Sequence, residues 1–373
     1  VIKLYRTIDA WLFAWGSPVP LGLLRIAVGF LAIFNQLFLT FQYREWFTEN
    51  GFTPRWVAIL WLGDYPKLGP VEVPRIDLLS HVTDPRISFA FVAVTVVLSV
   101  LLMLGLWTKP VSILLALGIT TLQHRSPAIL HGGDTVIRLL VIYLAFSPCG
   151  LACSVDRLVG LWKGKIAPGP VVAPLWTQRV IQINLAIIYL TTVWIKWGGS
   201  QWRNGQATWY PSRLQEFERF WVPEFMRQFP MVWVTTYGTI LVEFAMVSLV
   251  FYRPYRKWIL GMAVMMHLYI DYSMNIPLFS WLMICQYICF YDADEIRGWA
   301  GRVGQRLSRW RMQLPLPDQR PGEMAAIEAT DPFDLVTFVP GESPSPRQMR
   351  QAWFRSPGAW WLPIIPRKLK RST

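Results

Sequence analysis

The chain has 373 residues, of which 53% are hydrophobic, 15% aromatic and only 16% charged, a composition that excludes an ordinary soluble surface. The formal charge is +13, but Lys and Arg collect in alternate loops and toward the C-terminal end, so the excess describes membrane topology and not a nucleic-acid partner. Several apolar runs approach the length that crosses a hydrocarbon core about 30 Å thick, which makes the expected fold all-α and polytopic.

Apolar Ile2, Tyr5, Ile8, Leu12 and Phe13 recur at helical spacing with Lys3, Arg6 and Asp9 off that face, which predicts an interfacial helix within residues 1–20. The first apolar run, 21–41, is long enough to span and lacks a small-residue cleavage site, so no signal peptide is expected. Arg25, one turn inside it, is expected to snorkel to the surface. Residues 42–86 carry five basic and six acidic residues punctuated by Gly51, Pro54, Pro66, Pro70, Pro74 and Pro85, the pattern of a translocated loop that folds as an extracytoplasmic cap.

Further spans are predicted at 87–107, from Lys109 to an irregular end near Leu122, and at 135–148, 178–197, 231–251, 258–273 and 276–291. The third and fourth are short and interrupted by Gln123, His124 and Arg125, and polar backbone at that depth is tolerated where it lines a cavity or is buried in protein. Basic residues favour the N-terminus, the loops after spans two, four and six, and the tail. About eight helices over 21–291 with both termini cytoplasmic satisfy that pattern.

At 292–314, Ile296, Trp299, Val303, Leu307 and Trp310 share a helical face, with Arg297, Arg302, Arg306, Arg309 and Arg311 mostly elsewhere. This predicts a basic amphipathic helix lying on anionic lipid. Residues 315–373 form a Pro-rich tail that should not fold alone and is expected to be held by a partner subunit. Cys149 with Cys153, and Cys285 with Cys289, are spaced i, i+4; apolar packing is expected in preference to a metal site, whose usual spacing is CxxC.

Placed by depth, Lys196, His124, His131 and Asp134 fall at the outer ends of spans three to five. His267 lies near mid-depth in span seven, with Asp271 and Asn275 progressively closer to the outer face. These residues are expected to converge on one outer-leaflet region. Each has a structural alternative: Lys196 can snorkel, His267 can be a bonded core histidine, and Asp134 can pair with Arg138 at i+4 or cap the fourth span. Glu243, near the middle of span six, requires a partner or a proton.

Lys196 with Gly198, Gly199, Trp202, Gly205, Ala207 and Tyr210 resembles the lysine segment of the vitamin K-dependent gamma-carboxylase family. Gln123-His124-Arg125 through His131-Gly132-Gly133-Asp134, then Phe146-Ser147-Pro148-Cys149-Gly150 and Ser154-Val155-Asp156, resemble the bacterial horizontally transferred transmembrane (HTTM) domain proteins related to it. His267 and Asn275-Ile276-Pro277-Leu278-Phe279-Ser280 resemble its late His-containing helix. The resemblance covers about 21–291 and implies a bacterial inner membrane location.

It further implies that Lys196 is a base toward a reduced, vitamin K-like quinone. His124 and His267 would orient the quinone, with His131, Asp134, Trp202, Asn275 and Asp271 around it and Glu243 and Arg138 as intramembrane charges. The large extramembrane domain by which animal carboxylases grip their substrate has no counterpart here. The competing expectations are an accessory subunit of a larger, energy-transducing membrane complex and, from Glu243 and Asp271, a transporter.

Overall fold

The structure is a computed structural model and describes residues 2–63, 67–68, 71–72, 75–163, 165–166 and 171–311. The Pro-rich tail expected at 315–373 lies outside the described residues, as do the side chains of Val303, Leu307 and Trp310. In chain order the helices are α1 (Ile2–Leu12), α2 (Val19–Phe41), α3 (Tyr43–Phe47), α4 (Arg55–Leu62), α5 (Pro85–Leu104), α6 (Thr108–Arg125) and α7 (Gly132–Phe146). They continue with α8 (Val155–Trp162), α9 (Trp176–Gly198), α10 (Ser200–Arg203), α11 (Met231–Ser248), α12 (Arg253–Ser273), α13 (Phe279–Gln286) and α14 (Ala293–Arg311). Strand structure among the described residues is confined to two-residue pairings, such as Trp15–Gly16 with Ala173–Pro174.

Helices α2, α5, α9 and α11, the last extended through Phe251 by a 3-10 turn, are each long and apolar enough to cross a membrane. They are apolar nearly all round, and Phe30, Phe34 and Phe38 on α2 or Leu241 and Phe244 on α11 face outward, as in lipid and unlike a soluble core. Helices α6, α7, α12 and α13 fall on the remaining four expected segments. The sixth element, α6, corrects the sequence reading: it does not end near Leu122 but runs unbroken to Arg125. Its polar last turn is paid for by partners, since Gln123 Nε2 donates to the Asp134 carbonyl (2.7 Å) and Arg125 is ion-paired to Glu49 (2.7 Å).

Local capping chemistry fixes where these helices start and stop. Asp84 caps α5 by accepting from the Arg86 amide (2.8 Å), Pro85 opens it, and Gly105 closes it in the left-handed region (φ 71°). Asp156 caps α6 from across the chain, accepting from the Trp107 and Thr108 amides (2.8 Å each) and the Thr108 hydroxyl (2.7 Å). This holds the turn after α5 against the start of α8.

The same end of the bundle gathers other segments. The Leu175 amide donates to Ala14 O (2.9 Å), Gln178 and Gln182 both donate to Cys289 O (2.6 Å each), and Val19, Ala152, Ala293 and Ile296 form one small core. Thus the N-terminus, the turns after α5 and α7, the start of α9 and the start of α14 meet at one end. At the opposite end, Ser88 donates to Phe47 O (3.2 Å), Thr53 bonds Ser126 (2.8 Å), and the Asn275 amide donates to Phe217 O (2.6 Å). Phe47, Leu79, Val92 and Leu122 make a compact core there under the 42–86 segment.

Arg25 also departs from expectation. It does not snorkel but is fully buried, donating to the carbonyls of Leu102 (2.5 Å), Met103 (2.7 Å) and Cys153 (2.5 Å). Leu102 and Met103 lie in the last turn of α5, where the partial negative charge of the C-terminal carbonyls suits a cation. The four cysteines are free thiols, with Cys149 and Cys289 inside the main apolar core.

Candidate functional site

The site is built on α9 and α11. Tyr189, Thr192 and Lys196 are spaced i, i+3, i+7 on α9, so they share one helical face. Glu243 lies 12 residues past Met231 on α11, about 18 Å along its axis at 1.5 Å per residue. The Lys196 ammonium is ion-paired to the Glu243 carboxylate, and Thr192 donates to the other carboxylate oxygen at 3.3 Å. Lys196 therefore neither snorkels nor stands alone; it meets a carboxylate placed deep in the neighbouring helix.

That depth follows from the reversal after α9. The first turns of α11 rise past the end of α9, and the returning chain is strapped to them. The Tyr237 hydroxyl donates to Arg203 O (2.8 Å), the Thr208 amide donates to Thr236 Oγ1 (3.2 Å), and Thr208 Oγ1 donates to Val232 O (3.1 Å). Gly205 is buried at φ 73°, and a Cβ there would stand 2.7 Å from Trp233 and 2.8 Å from Tyr237, so glycine is required both by backbone and by space. Trp202, on the same reversal, places its ring 4.9 Å from Lys196 Nζ, a cation–π contact.

Two turns deeper, Tyr189 joins this pair to α12. Its hydroxyl lies 2.9 Å from His267 Nε2 and 2.5 Å from the Tyr287 hydroxyl, and all three side chains are buried. Glu243 is within electrostatic range of both tyrosines, and Lys196 of His267. The second imidazole nitrogen, His267 Nδ1, is buried with no hydrogen-bond partner among the described residues. A buried ring nitrogen of this kind needs an acceptor or donor, and none of the described residues provides one.

His267 and the start of α7 flank one aromatic ring. The Phe279 ring lies 5.8 Å from the imidazole, edge-on, and its other side touches Gly132, where an added Cβ would be 3.5 Å from the ring. Behind it, His131 and Asp134 form a reciprocal cap. His131 Nδ1 accepts from the Gly133 amide (2.9 Å), and Asp134 Oδ2 accepts from the His131 amide (3.1 Å). Asn35 Nδ2 on α2 donates to the other Asp134 oxygen at 3.2 Å.

The expected convergence is therefore partial. Lys196, Glu243, Trp202 and His267 come together, and His131 and Asp134 adjoin them across Phe279. Arg138 does not ion-pair with Asp134; its guanidinium lies 3.4 Å from His124 Nε2, whose Nδ1 accepts from the Ile76 amide (3.0 Å). His124 is thereby engaged with the 42–86 segment. Asp271 is ion-paired to Arg219 at 2.8 Å, and the side chain of Asn275 is exposed while its amide is bonded to Phe217, so both serve the outer connection.

Tyr189, Tyr287, Thr192 and Asn35 were not singled out from the sequence. The spacing of Tyr189 and Thr192 to Lys196 was the available signal; Tyr287 lies in a 3-10 turn after α13, where periodicity gives none. An open apolar groove of about 630 Å³ runs along α11 between Trp233, Tyr237, Gly238, Leu241 and Phe244. A second cavity, of about 330 Å³, lies at the opposite end of the bundle beside α14.

No curated protein and no solved structure matches the chain. The family model of the HTTM domain matches residues 17–294, which begin just ahead of α2 and end at the start of α14, and so take in every residue of the site above. Matched over more than half its length, the chain belongs to the HTTM domain family.

Proposed function

We propose that the chain is an eight-pass integral membrane protein of a bacterial inner membrane, with both termini cytoplasmic, whose Lys196–Glu243 pair removes a proton from a bound lipid quinol. The helix alternation and the apolar outer faces support the topology, since the segments richest in Lys and Arg gather at one end of the bundle. The observation that carries the chemistry is the ion pair set near a buried imidazole nitrogen that has no partner among the described residues. An amine, an imidazole and two phenols enclosed by apolar side chains fit a molecule with an apolar body and two ring oxygens.

Glu243 takes the proton of a hydroxyl held against the pair, leaving the Lys196 ammonium beside the oxyanion. The net charge of the site is unchanged, which is the condition for proton transfer at low dielectric. His267 Nδ1 is free to bond a second oxygen, while Tyr189 fixes the ring through Nε2. Trp202 closes the site over Lys196. A bound reduced quinone supplies the acidic hydroxyl and a ring that reacts with oxygen.

The test is binding of a short-chain naphthoquinol, followed by tryptophan fluorescence in lipid nanodiscs. Affinity should fall about tenfold or more in His267→Phe, which removes the proposed oxygen contact at a cost of about 1.5 kcal/mol or more. Equal affinity in the two proteins would remove the quinol reading. A scaffold role in a larger complex is favoured by one observation: the ion pair already satisfies both charges without any ligand.

A further inference from the structure

The cavity at the α14 end is bounded by the first turn of α12, by Tyr291 and by the first turns of α14. Six charged side chains line it, and its two carboxylates are accounted for. Glu295 accepts from Arg256 with both oxygens (2.6 and 2.7 Å) and from the Asp292 amide (2.9 Å), and Asp294 is ion-paired to Arg297 (2.9 Å). Arg253 is ion-paired to Asp292. Lys257 and Arg302 remain, and neither has a carboxylate within ion-pair distance among the described residues. Two cations from different helices thus face one cavity without counter-charge.

The rest of the lining is aromatic and marks the level at which it sits. Tyr291 and Trp299 pack edge to face at 4.4 Å, and the Arg256 guanidinium lies 5.2 Å over the Tyr291 ring, which holds that wall rigid. Trp258, 67% exposed, follows Lys257, and Trp299 is 41% exposed. Exposed tryptophans next to basic side chains at the foot of an apolar helix occupy the headgroup level of a bilayer.

We propose that this cavity binds the phosphate of an anionic phospholipid headgroup, held between Lys257 and Arg302 with its glycerol against Trp299. It rests on the membrane reading above but is independent of the quinol chemistry, being at the other end of the bundle. The site ties α14 and the following chain to the bilayer through a lipid.

The experiment uses the full chain in neutral maltoside micelles, with native mass spectrometry reading the dissociation constants of dioctanoyl phosphatidylglycerol, dioctanoyl phosphatidylcholine and inorganic phosphate. Phosphatidylglycerol should bind most tightly. The Lys257→Gln/Arg302→Gln variant should bind it about 30-fold more weakly, each cation contributing about fivefold. The Lys257→Arg/Arg302→Lys variant, which keeps both charges, should bind as the native chain does.

Equal binding of the two lipids by the native chain would overturn the proposal, as would native affinity in the Gln variant. Inorganic phosphate binding as tightly as the lipid would make the ligand a free anion and overturn the lipid assignment. A carbodiimide crosslink from Lys257 to a carboxylate within residues 315–346, formed in the presence of the lipid, would place the chain's own acidic linker in the cavity and overturn it too.

Discussion

Lys196 and Glu243 are 47 residues apart in the chain and directly ion-paired, the end of one apolar helix meeting the middle of the next. Neither charge is stable at its position without the other. Removing one partner leaves an uncompensated charge, so Lys196→Met or Glu243→Leu alone should each destabilise by about 3 kcal/mol. The double variant should recover most of that loss. Chemical unfolding in mixed micelles measures all four corners of the cycle, and additive losses would show that the pair is not coupled.

The Tyr189 hydroxyl is shared between His267 and Tyr287. Tyr189→Phe keeps the ring and strands both neighbours, at a cost of about 1–3 kcal/mol. It should also free the His267 ring to reorient, so the imidazole signals in selectively labelled protein should broaden or shift. Unchanged stability together with unchanged histidine signals would contradict the hydrogen-bonded arrangement.

Gly205 holds the reversal over Lys196. Gly205→Ala meets both a left-handed backbone and the Trp233 and Tyr237 rings, so it should destabilise by more than the roughly 1–2 kcal/mol of the backbone term alone. Because the strap positions Trp202, the same variant should weaken quinol binding. Gly238→Ala, inside α11 with nothing within 4 Å of the added carbon, is the control and should be neutral or stabilising by up to about 1 kcal/mol.

Sidedness has its own test. A cysteine placed at exposed Gln201 should react with an impermeant maleimide from outside intact cells, whereas one at exposed Lys163 should react only after permeabilisation. The reverse pattern would invert the proposed topology.

Hydropathy and loop charge made the helices legible, because every apolar run long enough to span appears as a helix and the basic loops share an end. The need of Lys196 and Glu243 for partners was legible too, since an intramembrane charge must be compensated. That they compensate each other was not. Depth counted from span ends put Lys196 at the surface and Glu243 at the centre, and only the offset between α9 and α11 levels them. The burial of Arg25 is hidden from the sequence for a related reason: hydropathy registers a cation but not the carbonyls of Leu102 and Met103 at the end of α5 and of Cys153 that receive it. The polar last turn of α6 stayed helical because tertiary partners for Gln123 and Arg125 outweighed its composition.

Oxygen-dependent consumption of a naphthoquinol by the purified chain in nanodiscs, native against Lys196→Ala, bears most directly on the proposed chemistry. Lys196→Ala removes the ammonium that stabilises the developing oxyanion and should reduce the rate by at least about 100-fold, the usual scale of one lost oxyanion-stabilising group, while quinol still binds. Turnover by Lys196→Ala at the native rate would contradict the assignment of the Lys196–Glu243 pair to the proton transfer.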